Sequence, residues 1–186
     1  MSSPQLSLSD ENVRFIADQK MFFVATATAD SRVNLSPKGM SSFRVLGENR
    51  VAWLNVTGSG NETAAHVSVL PRMTLMFCAF EGEPQILRLY GTARAVHRAD
   101  PDWEALLGRF EPLPGTRQIF DVQVELVQVS CGMAVPLYDY CGERDALLQW
   151  AIKKGEPGIA QYWRDKNQVS LDGVETGILQ RSGLSD

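Results

Sequence analysis

Residues 120–126 read FDVQVEL, and apolar side chains alternate with polar ones along the whole stretch. A period of two places the apolar side chains on one face of a β-strand and the polar ones on the other. This stretch therefore predicts a strand with one buried face and one solvated face. Other stretches rich in apolar, β-branched and aromatic residues, bounded by turn residues, predict further strands at 22–28, 33–36, 50–56, 73–80 and 86–96.

Helices are predicted around these strands. Ser9 is placed to cap a helix that runs to about residue 20, with Leu8 and Val13 able to contact each other across the cap. A short helix should follow the glycine loop at 57–60 and end near Leu70, because the residue before a proline disfavours helical geometry. Asp100 and a proline at the first helical position predict a third helix through about 110. Helical spacing returns after 145, with a break at 155–158.

About six strands, most of them joined by hairpins, with helices at both ends predict an antiparallel barrel or sandwich. The length of 186 residues fits one domain over 1–186, with the barrel at about 20–130 and a helical extension at about 142–186. The composition is that of an ordinary globular protein, with 44% hydrophobic and 22% charged residues.

Charge and patterning exclude several classes of protein. A formal net charge of −4 repels nucleic acids and anionic bilayers. No uncharged stretch approaches the ~20 apolar residues of a membrane span, and the N-terminus lacks the features of a secretory signal, so we expect a cytoplasmic protein without a membrane or nucleic-acid partner. Three cysteines without a CxxC pair and only two histidines make a metal site unexpected.

The stretch WLNVTGSGNETAAH at 53–66 carries the main chemical signal, because a strand ends in a hydroxyl- and amide-rich loop and a helix begins at once. Unpaired N–H groups and the helix dipole make such a junction an anion site. Further donors there are the side chains of Thr57, Ser59, Asn61 and Thr63. Alternatively, Ser59 or Asn61 simply caps a surface helix. Neither a Walker motif nor a GxGxxG motif is present.

Two further cations lie at the end of one predicted strand and inside another. Lys38 ends the stretch NLSPK at 34–38, where it is either a phosphate ligand or a solvated surface charge. Arg88 lies between Leu87 and Leu89, so it points to the opposite face of its strand from these leucines. It is either an exposed arginine or a ligand clamp.

Taken in order, the motifs VNLSPK, WLNVTGSGNETAAH, PRMTLMFCAF and RLYG resemble the pyridoxamine 5′-phosphate oxidase-like, FMN-binding split-barrel family over about residues 10–130. The resemblance implies a mainly β fold, a six-stranded antiparallel split β-barrel with peripheral helices. It also implies FMN bound at a homodimer interface, with Lys38 and Thr57 contacting the flavin phosphate. The pattern departs from the vitamin B6 oxidase: Glu62 and Thr63 replace an Arg-Lys pair, and Val33 replaces an arginine. The chain therefore looks more like the family's uncharacterised branch.

The expected function is that of an FMN-dependent oxidoreductase acting on a small-molecule substrate, because the cofactor supplies the chemistry and no catalytic triad or carboxylate pair is evident. The expected cofactor-binding residues are Lys38, Thr57, Ser59, Asn61, Thr63 and Arg88. Alternatives are a non-catalytic flavin-binding protein, a deazaflavin protein, or a haem-binding or haem-degrading protein in which His66 or His97 is the axial ligand. The segment CGMAVPLYDYCG at 131–142 either covers a ligand, packs on a partner, or holds inert buried cysteines.

Overall fold

A single antiparallel sheet of seven strands dominates the computed structural model, which describes residues 4–184. The strands are β1 (Phe22–Thr26), β2 (Asn34–Lys38), β3 (Phe43–Gly47), β4 (Arg50–Val56), β5 (Arg72–Cys78), β6 (Gln85–Val96) and β7 (Thr116–Cys131). Their order across the sheet is β2-β1-β5-β6-β7-β4-β3. The fold class is confirmed: the protein is mainly β and antiparallel, with peripheral helices.

Six of the strands lie where the sequence predicts them, and β3 is the additional one. Its stretch, FRVLG, is half-buried on both faces until its terminal glycine, so it shows no alternation. The strand predicted at 120–126 is the middle of β7, whose first residues are buried on both faces and therefore lose the period of two.

Aromatic contacts show how the sheet curls on itself. The rings of Phe22 in β1 and Phe43 in β3 lie 5.0 Å apart although these strands are near opposite ends of the strand order. Phe77 of β5 contacts both rings, and Trp53 of β4 stacks on Phe120 of β7. These side chains fill the centre of the main core, while β2 and β3 remain the two unpaired edges of the sheet.

The helices are α1 (Asp10–Asp18), α2 (Glu62–Val69), α3 (Trp103–Leu107), α4 (Ala146–Lys166) and α5 (Ile178–Arg181). Ser9 caps α1 as predicted, and Asn12 completes the capping box. The predicted start of α3 is wrong by two to three residues. The Asp100 carboxylate instead accepts hydrogen bonds from the His97 N–H and from Arg181, so the helix begins only at Trp103.

The break predicted at 155–158 lies within α4, where Gly155 has a φ of 64°. Beyond this break, Ile159 and Trp163 pack with the two apolar residues of α5, Ile178 and Leu179, in a small core of their own. The last turn of α4 thereby lies against the loop that joins β4 to α2. Within residues 4–184, no helix combines the length and the apolar character needed to cross a membrane.

Candidate functional site

A polar cavity of about 280 Å³ opens where β2, the end of β4, the 58–61 loop and β7 meet the first turn of α2. Polar and charged side chains dominate its wall. The lining residues are Asn34, Ser36, Lys38, Asn55, Val56, Gly58, Ser59, Gly60, Asn61, Glu62, Thr63 and Arg117.

Strand β2 supplies one wall of the cavity through its alternation. Asn34, Ser36 and Lys38 face inward, and the amide nitrogen of Asn34 donates to Thr63 Oγ1 at 3.1 Å. Leu35 and Pro37 face outward and are exposed. A single five-residue strand therefore presents polar groups to the cavity and apolar groups to solvent.

Lys38 is the first cation of the cavity. Its ammonium lies 5.3 Å from the centre of the Trp53 ring, and no hydrogen bond or ion pair joins it to any residue between 4 and 184. Burial, aided by the charge of Arg117, lowers the pKa of Lys38 to about 8, while Glu62 acts in the opposite direction. The ammonium is thus a half-buried charge that forms no ion pair in the described part of the chain, with Glu62 as the nearby carboxylate of the same cavity.

Arg117 is the second cation, and only 3% of it is exposed. The pairing of β4 with β7 shifts register between Asn55 and Val56, which pair with Gln118 and Thr116, so Arg117 is the extra residue of a bulge. Bulges redirect a side chain out of the regular alternation. Here the guanidinium turns into the cavity wall.

The guanidinium of Arg117 has only uncharged hydrogen-bond acceptors. Nη1 donates to the Gly60 carbonyl at 3.0 Å and to Asn167 Oδ1 at 2.7 Å, and Nε donates to Gln118 Oε1 at 3.0 Å. Nη2 has no hydrogen-bond partner in the described part of the chain. Burial lowers the pKa of Arg117 to about 10, and Glu62 is its main opposing charge.

The N-terminus of α2 supplies backbone N–H donors to the cavity, beside the two cations. Asn61 is the N-cap residue, but its side chain does not cap the helix. Its amide nitrogen donates to the Asn167 carbonyl at 3.2 Å, and its oxygen accepts from Gln118 at 3.0 Å. The first-turn N–H groups are therefore left to other acceptors, and the positive end of the helix dipole faces the cavity.

Four of the six residues expected to bind the cofactor meet at this cavity: Lys38, Ser59, Asn61 and Thr63. Thr57 lies at the base of the loop, 1% exposed, and does not line it. Its hydroxyl donates to the Gly115 carbonyl and accepts from the Trp163 indole N–H, both at 2.8 Å. In this conformation Thr57 holds the loop in place and has no proton free for a phosphate.

Arg88 lies elsewhere. Cross-strand pairing puts it in one row with Pro37, Phe23, Met76 and Gln128, on the outer face of the sheet. As predicted, this face is opposite to that of the buried Leu87 and Leu89. Its Nη1 donates to Ser130 Oγ at 2.9 Å. Within one chain Arg88 and Lys38 point away from each other, so Arg88 as a cofactor ligand stays a prediction that requires a second chain.

The two histidines are buried away from the cavity. His66, inside α2, contacts Thr26 Oγ1 through Nδ1 at 3.1 Å. His97 follows β6 directly, is fully buried, and its pKa is lowered to about 3 by burial and by the nearby Arg181. Neither lines the cavity, so this structure offers no support for axial ligation there. In the 131–142 segment both cysteines are exposed, which contradicts the alternative that this segment holds inert buried cysteines.

Sequence reasoning missed Arg117 and Asn167. Arg117 lies between Thr116 and Gln118, before the strand predicted at 120–126, so it lacks the apolar neighbours that drew attention to Arg88, and its bulge is invisible in the sequence. Asn167 carries no local signal, because its partners lie at 58–61 and 117.

Comparisons with known proteins agree with this architecture. The family model described as pyridoxamine 5′-phosphate oxidase matches residues 8–131. The pyridoxamine 5′-phosphate oxidase family protein ustO of Aspergillus flavus is 34% identical over 90% of this chain and 75% of its own.

Solved structures with low sequence identity share the fold. HupZ of Group A Streptococcus has a TM-score of 0.52 at 19% identity and covers 71% of this chain and 99% of its own. A candidate pyridoxamine 5′-phosphate oxidase of Lactobacillus delbrueckii has a TM-score of 0.54 at 21% identity and covers 67% of this chain and 95% of its own. With the family model matching two thirds of its length, the chain belongs to the pyridoxamine 5′-phosphate oxidase family.

Proposed function

We propose that the protein binds FMN, with the flavin phosphate in the polar cavity between Lys38, Arg117 and the N-terminus of α2. The observation that carries this proposal is the presence at one cavity of two cations, the half-buried Lys38 and the buried Arg117, neither of which forms an ion pair within residues 4–184. Glu62 also lines this cavity, and its single charge offsets the two cations only in part. Burying an uncompensated charge is costly, and each such charge in a fold calls for a compensating group. A dianionic phosphate compensates both charges at once and also accepts hydrogen bonds from the first turn of the helix.

Family membership makes FMN the phosphate ester that we favour over other anions. Cavities that enclose a whole small-molecule ligand usually measure about 300–1,000 Å³. The cavity of about 280 Å³ lies just below that range, so it suits the phosphate end of the cofactor and leaves the flavin ring outside. Another surface must then cover the ring.

A second copy of this chain is the covering surface that we propose. Val33 and Leu35, directly before and within β2, are 73% and 62% exposed, although both are apolar. Leu35 lies on the strand whose inner face lines the cavity and Val33 directly precedes that strand, so a partner packed on them would lie beside the cofactor. Arg88 shares the outer face of the sheet and would also enter such an interface.

FMN, when bound, supplies hydride or electron transfer, and the chain binds, orients and shields it. We therefore propose an oxidoreductase acting on a small molecule. Lys38 and Arg117 neutralise the phosphate, the α2 N–H groups fix its orientation, and the Trp53 ring lies against the Lys38 ammonium. The hydrogen bond from the Asn34 side chain to the Thr63 hydroxyl holds β2 against α2.

Titration of the purified protein tests the proposal. We expect FMN at micromolar concentration to lose fluorescence on binding, to raise the melting temperature and to bind at about one site per chain, while riboflavin binds more weakly. A haem or deazaflavin protein would show a different absorption spectrum. Bleaching of bound FMN by NAD(P)H would favour an oxidoreductase over a carrier. Absence of both quenching and thermal stabilisation would refute FMN binding.

A further inference from the structure

Asn167, the residue directly after α4, connects the C-terminal extension to the cavity and is fully buried. Its side-chain amide donates to the carbonyls of Gly58 and Ser59, at 3.1 and 3.4 Å. Its Oδ1 accepts from Arg117 Nη1 at 2.7 Å. One side chain thereby holds the loop that borders the cavity and the guanidinium that faces it.

The backbone of Asn167 is fixed as well. Its carbonyl accepts from Asn61 Nδ2 at 3.2 Å and from Thr176 Oγ1 at 2.7 Å, and its N–H donates to the Trp163 carbonyl at 3.0 Å. Trp163, one helical turn earlier, donates to Thr57 at the start of the same loop. The last turn of α4 therefore anchors the loop at both ends. The position of the Asn167 amide is fixed by α4 before it and by Thr176 after it.

The residue type at 167 has an electrostatic consequence. Asparagine is a neutral acceptor, so it orients the guanidinium without cancelling its charge. An aspartate has nearly the same shape but would form a buried ion pair with Arg117 across 2.7 Å. A phosphate would then compete with a permanent carboxylate for the same cation.

We infer that Asn167 is a positioning residue of the anion site: it orients Arg117 and the 58–61 loop while leaving the charge of Arg117 available to the cofactor phosphate. This inference rests on the proposed function. Asn167 lies beyond residues 8–131, which the family model matches, so the C-terminal extension contributes to the site as well as the barrel.

Two substitutions at one position separate orientation from charge. Both Asn167→Ala and Asn167→Asp remove the amide donors to the loop, but only aspartate adds a negative charge beside Arg117. We expect FMN affinity to fall about tenfold in the alanine variant and about a hundredfold in the aspartate variant. Riboflavin affinity, which involves no phosphate, should differ between the two variants by less than about threefold.

Thr176→Val is the matched control. It removes the hydrogen bond to the Asn167 carbonyl and the acceptor of the Ile178 N–H in the same buried junction, and the Thr176 side chain bonds to neither the loop nor Arg117. We expect it to lower the melting temperature while the ratio of FMN to riboflavin affinity stays as in the wild type. If the aspartate variant does not fold, a lower ratio in the alanine variant than in Thr176→Val supports the inference, and equal ratios overturn it.

The remaining outcomes are also decisive. The positioning role would be overturned, with FMN binding itself intact, by either of two results. Asn167→Asp could bind FMN as tightly as Asn167→Ala, or it could lose affinity for FMN and for riboflavin by the same factor. If wild-type protein binds no FMN, the proposed function fails instead. Inorganic phosphate is then the probe: its stabilisation of the wild type against heat should be lost in Asn167→Asp and retained in Thr176→Val, and equal stabilisation of both variants would overturn the inference.

Discussion

Lys38 carries the most direct prediction at the scale of single residues. Removing its ammonium in Lys38→Ala deletes a charge-assisted contact to the phosphate, so FMN affinity should fall by about one to two orders of magnitude. Riboflavin affinity should be nearly unchanged, because riboflavin lacks the phosphate. Fluorescence titration of both ligands measures the difference. Equal losses for FMN and riboflavin would show that Lys38 supports the ring or the fold instead.

The pH dependence of FMN binding provides a second test of Lys38. The pKa of Lys38 in the free protein is lowered to about 8, and a bound phosphate favours the protonated form. Binding therefore raises this pKa and takes up a proton, and affinity declines as the pH rises through 8. Between pH 7 and 9 the FMN dissociation constant should rise about tenfold, because the protonated fraction falls by that factor. Lys38→Arg, which stays charged, should bind FMN with a nearly flat profile over this range.

Arg117 is the cavity residue whose role the sequence predicts least well. Lys38 and the 57–63 loop could be predicted because strand, loop and helix are consecutive in the chain. The role of Arg117 depends on a bulge and on neutral acceptors from three separate segments.

We expect Arg117→Met to lower FMN affinity at least about tenfold, without an equal loss of riboflavin affinity, in fluorescence titrations of both ligands. Unchanged FMN affinity would remove Arg117 from the site.

At the scale of elements, the long antiparallel pairing of β6 with β7 contains a bulge next to Gly91. Register shifts there, and a Cβ on Gly91 would lie 2.1 Å from the Gln123 carbonyl oxygen. Gly91→Ala should therefore destabilise the protein by about 1–3 kcal/mol, measured by urea denaturation. Gly47→Ala is the control, because a Cβ at Gly47 has no neighbour within 4 Å. Similar free energies of unfolding for both variants would refute the close-approach argument.

Which elements could be predicted follows from how they are buried. The stretch at 120–126 alternates cleanly because one face of its strand packs on the core, whereas β3 is half-buried on both sides and lacks a periodic signal. The start of α3 differs from the predicted one because the Asp100 carboxylate accepts a hydrogen bond from Arg181 instead of capping the helix. Local patterns predict an element well when one of its faces packs on the core and the other faces solvent. They predict it poorly when both faces are half-buried or when a distant residue binds its capping side chain.

At the scale of the whole molecule, the proposed homodimer yields a prediction about the outer face of the sheet. Leu35 is 62% exposed in one chain, and its neighbours Asn34 and Ser36 point into the cavity. Leu35→Glu should shift the protein from dimer to monomer in light scattering and weaken FMN binding, while the melting temperature of the chain without FMN changes little. A wild-type protein that stays monomeric at tens of micromolar with FMN present would contradict the shared site.

The cavity also has a consequence for the order of folding. Its hydrogen bonds join residues 29, 57 and 109 positions apart in sequence, the last through Asn167. Closing such long loops is slow, and the C-terminal end leaves the ribosome last. The anion site is therefore complete only after the barrel has formed and α4 has docked on it. FMN bound to this late-forming site should slow unfolding and leave the refolding rate almost unchanged, so that the cofactor increases the kinetic stability of the native protein.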